Sequence, residues 1–154
     1  MLRLAAIATE TASSKAKQLL DGVQAKLKMT PNFLRVMANS PAVLEGYLGF
    51  SGALAAGSLP AKLREEIALA VGEQNGCEYC VSAHTAIGKL TGLTDPDIDQ
   101  AREARSSSPK HTAALAFARQ LVAKKGQVTD ADFEGCGRRD SAKATSRRSS
   151  RMSR

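Results

Sequence analysis

Tryptophan is absent from this 154-residue chain, and only two tyrosines and four phenylalanines stand in for it. With so few aromatics and no alternating run of β-branched residues, there is no strand signal. No apolar run approaches the ~20 residues that a membrane span needs. The first eight residues hold one basic side chain and a very short apolar stretch before Thr9-Glu10. That is too short for the apolar region of a signal peptide and points to the cytoplasm. Only three cysteines occur, and without a secretory signal they suggest redox chemistry rather than a disulfide framework. Internal repeats and a glycine-rich phosphate loop are also missing.

What remains is a chain with 43% apolar residues, long enough to bury a core as one domain. Its net charge of +7 is unevenly placed. Residues 135–154 carry seven Lys and Arg against a single acid, Asp140, so residues 1–134 are nearly neutral. No aromatics interleave with this basic run, as a base-stacking surface would require. Nucleic acid is therefore a weaker expectation than a solvated, disordered tail, and no membrane contact is expected.

Helix punctuation recurs throughout. Ala12, Ala16, Leu19, Leu20, Val23 and Leu27 follow the 3.6-residue period of a first amphipathic helix. Thr30-Pro31 and Ser40-Pro41 each place a capping residue before a proline at the first helical position. The second pair opens a helix with Leu44, Tyr47, Leu48 and Leu54 inward, ending at Gly57. Pro60 starts another with Leu63, Ile67, Ala70 and Val71 inward. Asn75-Gly76 breaks the chain, and the helix that follows ends at Gly92. Thr94 with Asp97 forms a capping box for a short helix near 95–105. Ser108-Pro109 starts a further helix with Leu115, Ala118, Leu121 and Val122 inward. The fold class expected is all-α.

The chemistry concentrates in Glu65-Glu66 and in Cys77-Glu78-Tyr79-Cys80-Val81-Ser82-Ala83-His84. Positions 77, 80 and 84 share one helix face. Amides at a helix N-terminus favour thiolate over thiol at Cys77 and Cys80. His84, four residues after Cys80, has the spacing to exchange a proton with it. A c-type haem site would need His directly after the second cysteine, and Val81 stands there. Zinc stays open but incomplete, because Cys77, Cys80 and His84 supply three ligands of four. His111, Cys136 or an acid would have to complete the set without motif spacing. Two buried cysteines that merely pack are the bland alternative.

The run from Leu63 to Leu90 resembles the core motif of the AhpD-like alkyl hydroperoxidases, within the carboxymuconolactone decarboxylase superfamily. The segments Met29–Met37 and Ser40–Tyr47 look similar to members of that family too, and the resemblance spans roughly residues 5–134. It implies an AhpD-like helical bundle with the cysteine pair at a helix N-terminus, and a homo-oligomer. It implies that Cys80 is peroxidatic, that Cys77 resolves it, and that Glu65 and His84 form a proton relay. Glu65 rather than Glu66 follows from the family's spacing of twelve residues before the first cysteine, although the inward pattern alone places 66 close to 63 and 70. The implied partners are a hydroperoxide and a dithiol reductant or lipoyl-type donor protein, with no bound cofactor and no metal. Tyr79 stands where well-known members carry His, and a phenol with a pKa near 10 is a poor base, which implies a thinner relay. His111, in the first turn of a distant helix, reads as a surface residue, and Cys136 as incidental.

The end of the chain departs from this grammar. Thr129 and Asp132 form a capping box, and Val128 with Phe133 a hydrophobic staple, yet almost nothing apolar follows Glu134. The expected organisation is a helical domain over 1–134 and a basic, disordered tail over 135–154, with the family's later helices missing through truncation or a shifted reading frame. The alternatives to an active peroxidase are an inactive truncated relative and a non-enzymatic, basic-tailed binding protein. Limited trypsin digestion should cut first at Arg138, Arg139 or Lys143 and leave a resistant core ending near Lys125 or later. Protection of the tail at the level of the helical core would overturn the expected disorder.

Overall fold

Eight α-helices and one short 3-10 turn make up the regular structure of residues 3–137, which the computed structural model describes. No strand occurs among the described residues, so the expected all-α class holds. The expected tail lies, from residue 138 onward, outside the described residues. No described helix is long and apolar enough to cross a membrane. The chain divides into two compact units that meet at Ser58 and Leu59.

The first unit holds the 3-10 turn Thr9–Thr11, α1 (Ser14–Leu27), α2 (Asn32–Met37) and α3 (Pro41–Ala55). Ala16, Leu20 and Val23 of α1 meet Leu34, Ala38 and Leu44 in its core, with Leu19 and Leu48 partly buried beside them. The 3.6-residue stripe therefore identified the buried face of α1, except at Leu27, which is half exposed where the left-handed Lys28 ends the helix. Two capping expectations fail. Pro31 sits at the N-cap rather than the first helical position, and the Thr30 hydroxyl bonds Gln24 Oε1 at 2.9 Å instead. Ser40 does occupy the N-cap of α3 with Pro41 behind it, but its hydroxyl makes no capping bond. Tyr47 and Leu54, expected inward, are exposed. Within this unit, Leu44 is the one residue of α3 that becomes fully buried.

The second unit is built around α4 (Ala61–Gln74), which packs against α5 (Glu78–Leu90), α6 (Asp95–Arg102) and α7 (Pro109–Ala123). Its core joins Leu63, Leu69 and Ala70 of α4 to Leu93, Ile98, Ala101 and Leu115. Ile67 and Val71 are partly buried, whereas Leu69, outside the expected set, is fully buried. Thr94 and Asp97 form the expected capping box, and the Thr94 amide is the main group holding the Asp97 carboxyl below its ordinary range. Ser108 accepts from the His111 amide at the start of α7, while Leu121 of that helix is exposed.

Helix α8 (Asp130–Gly137) begins as its sequence announces, with Thr129 and Asp132 in reciprocal hydrogen bonds. Lys124 first, then Thr129, brings the Asp132 carboxyl down to about 2. This contribution to folding is complete above the ordinary carboxylate pKa of about 3.9 and is lost as pH falls through the folded value. Phe133 of the expected staple stays largely exposed and touches Phe117 edge-on, with ring centroids 5.8 Å apart.

Leu69→Ala should lower the unfolding free energy by about 2–5 kcal/mol, through lost burial and the cavity left behind. Leu90→Ala, at a position 87% exposed, should change it by less than about 0.5 kcal/mol. Urea denaturation of the two variants measures the contrast.

Candidate redox site

The turn between α4 and α5 is tight because Gly76 takes a left-handed φ of 61°, which a side chain would strain. The Cys77 amide then donates to the Gly72 carbonyl at 2.9 Å, closing the turn against the end of α4. Cys77 is the N-cap of α5, and its sulfur accepts the Cys80 amide at 3.2 Å. A sulfur thus occupies the place that a serine or aspartate oxygen usually takes at a helix start. Glu78 in the first turn and Lys89 in the last complement the ends of the helix dipole.

Cys77 and Cys80 are joined in a disulfide, with Cα atoms 5.2 Å apart. That separation lies within the range of roughly 4.4–6.8 Å that a disulfide spans. Both cysteines are partly buried, and Tyr79 between them is about half exposed. The bond sits against α4 at Gly72, where an added Cβ would come within 3.3 Å of Cys80 Cβ. A side chain there would press on Cys80 and Val81, so glycine allows this approach without strain.

One turn beyond Cys80 on α5, His84 Nδ1 lies 2.7 Å from Glu65 Oε2, an α4 carboxylate. The Glu65 side chain is 15% exposed and the His84 ring 34%. The four expected site residues are therefore carried by one pair of packed helices, α4 and α5. Glu65 holds the histidine through Nδ1, which leaves Nε2 as the ring nitrogen available to another group.

The neighbouring acid has a partner of its own. Glu66 is 5% exposed and lies 2.6 Å through Oε2 from His111 Nδ1, while Ser106 Oγ donates to its Oε1 at 3.0 Å. The Thr112 hydroxyl donates in turn to the Ser106 carbonyl. His111, expected on the surface, is instead a partly buried clasp between α7 and α4. Two adjacent acids serve two histidines because consecutive helical residues point about 100° apart. Sequence reasoning missed this second pair, since its members stand 45 positions apart without a motif.

Cys136 lies on α8 and is not disulfide-bonded. Among the described residues, no group of three or more His, Cys, Asp and Glu gathers as a metal site would require.

A model of the carboxymuconolactone decarboxylase family matches residues 41–122. Among solved structures, the chain is similar to one described as an alkylhydroperoxidase AhpD core, an uncharacterized peroxidase-related protein from Ralstonia eutropha JMP134. The two share 27% identity at a TM-score of 0.76, over 87% of this chain and 73% of the other. No curated protein matches the chain.

The two acids should separate in mutagenesis. Glu66→Ala strands a buried imidazole and the Ser106 hydroxyl, and should cost about 1–3 kcal/mol of stability. Glu65→Gln should leave the unfolding midpoint nearly unchanged. Thermal denaturation distinguishes them, and an equal loss in both would contradict the distinct surroundings of the two carboxylates.

Proposed function

The chain belongs to the carboxymuconolactone decarboxylase family, and from that premise we propose that it is a thiol-dependent peroxidase that reduces hydroperoxides through Cys77 and Cys80. The observation that carries this reading is a disulfide at a helix start with a carboxylate–imidazole pair one turn along the same helix pair. Peroxidase-related chemistry also appears in the description of the similar solved structure. No residue outside α4 and α5 is needed for the peroxide half of the reaction.

In this scheme the reduced Cys80 thiolate attacks the terminal oxygen of the hydroperoxide. A sulfur–oxygen bond forms, the oxygen–oxygen bond breaks, and the alcohol leaves with a proton. His84, oriented by Glu65, holds that proton in reach and assists deprotonation of Cys80 beforehand. Cys77, whose sulfur already accepts an α5 amide, is disposed to be a thiolate. It attacks the Cys80 sulfenic acid, a disulfide forms, and the hydroxyl departs as water with a second proton. An external dithiol then returns both cysteines to the reduced state. Tyr79, a phenol rather than an imidazole, is left outside the relay.

The reading includes self-association. Val43, Tyr47, Phe50 and Leu54 form a stripe along α3 at spacings of four, three and four residues, and all are exposed by 38–67%. A stripe of that spacing is the seam one helix offers another.

Cys80→Ser should abolish peroxide consumption, and mass spectrometry of the wild-type protein after peroxide should find Cys77 bonded to Cys80. Glu65→Gln and His84→Gln should each slow turnover about ten- to a thousand-fold, as expected for lost proton transfer. Undiminished consumption by the Cys80→Ser variant would refute the peroxidatic role.

A further inference from the structure

The disulfide has two flanks, and they differ. At about 100° per residue, Cys80 and His84 lie to one side of Cys77 around α5, while Glu78, Val81 and Ser82 lie to the other. On that second flank the structure holds a groove of about 470 Å³ between α4, α5 and α6. Cys77, Glu73, Val81, Ser82 and Arg102 are among its lining residues, and neither Cys80, Glu65 nor His84 takes part. Arg102 Nε donates to Glu73 Oε2 at 2.8 Å, which forms a polar rim on the α6 side.

This is the oxidised protein, and the oxidised protein is the form that a reductant meets. We propose that the groove is the docking site of the external dithiol and that Cys77, not Cys80, is the sulfur it attacks. This assignment rests on the peroxidase reading for its biological use, though not for its chemistry. Thiol–disulfide exchange depends on which sulfur a thiolate can reach as well as on the leaving group, and here access decides. Only Cys77 borders the groove. The donor thiolate forms a bond to Cys77 Sγ, the Cys77–Cys80 bond breaks, and its electron pair leaves on Cys80 as thiolate. The second thiol of the donor then attacks the donor sulfur of the mixed disulfide, closes a ring disulfide on the donor, and releases Cys77 as thiolate. Two protons and two electrons pass from the dithiol to the two cysteines. Cys80 is released first, on the flank of the Glu65–His84 pair, where a hydroperoxide would next react.

The groove also constrains the donor. A cavity of this size, open beside a partly buried sulfur, suits a small dithiol or a dithiol carried on a slender arm. It does not suit a thiol set in a flat protein face.

The oxidised wild-type protein, treated with 2-mercaptoethanol, quenched in acid within milliseconds and alkylated, reveals the attacked sulfur by peptide mapping. The adduct should sit on Cys77 and the alkyl group on Cys80, and the reverse pattern overturns the proposal. Ser82→Phe fills the groove and should slow reduction of the disulfide by dihydrolipoamide about tenfold or more, because misplacing a reacting thiol by an ångström is enough. An unchanged reduction rate would likewise overturn it. Neither measurement uses peroxide, so a protein that fails to form the disulfide with hydroperoxides would sink the peroxidase reading alone.

Discussion

Close approach of α4 and α5 at Gly72 is the constraint on which the candidate site depends. An added Cβ at that position would come within 3.3–3.5 Å of Cys80 and Val81, so the two helices pack closely there. Gly76 lets the chain reverse within a single turn, and the Cys77 amide pins that turn to the Gly72 carbonyl. The Glu65–His84 bond follows from this. A carboxylate has a short reach, and the partner ring is supplied by a helix that starts thirteen residues later and folds back against the first.

The adjacent acids show how one helix serves two purposes. Glu66 points into the core face of α4 and is stabilised there by His111 and Ser106, since a buried carboxylate without donors would be costly. Their sequence positions bring the start of α7 and the residues before it onto α4. That clasp ties the start of α7 to α4 and helps to set the rotation of α4 about its own axis. With Glu66 anchored inward, Glu65 must emerge about 100° around, on the flank where α5 lies. The second pair thereby sets the aim of the first.

Much of this was legible from the residues, but unevenly. Local signals were reliable where one partner competes for each group. Asn75-Gly76, the Thr94–Asp97 box and the Thr129–Asp132 box all appear where the sequence placed them. They failed where a side chain had a second choice, as with Thr30, whose hydroxyl bonds Gln24 instead of a helix amide. The periodicity of α1 identified its buried face, whereas α3 is apolar nearly all round, so period alone could not select Leu44 over Tyr47 or Leu54. At Glu65 and Glu66 the inward pattern and the family spacing named different acids. Both were informative, because each acid faces its own histidine. The partner of His111 is not legible, because nothing in a single sequence links it to a residue forty-five positions away.

The two sulfurs have different surroundings, and under the proposed peroxidase reading this asymmetry bears on their order of reaction. Cys77 Sγ accepts the Cys80 amide at the positive end of α5, a contact made by backbone alone. Cys80 lies instead on the flank of His84, and in the proposed scheme its proton passes to that imidazole, which Glu65 orients. A thiol that must answer to substrate protonation benefits from an adjustable base. A thiol that must attack a sulfenic acid promptly benefits from a fixed dipole that keeps it ionised. If the cysteines were exchanged in role, the adjustable base would sit beside the resolving sulfur, and the alcohol leaving from peroxide would lack a nearby proton. The arrangement of helix start, imidazole and carboxylate is the one that the proposed peroxide chemistry at Cys80 would use.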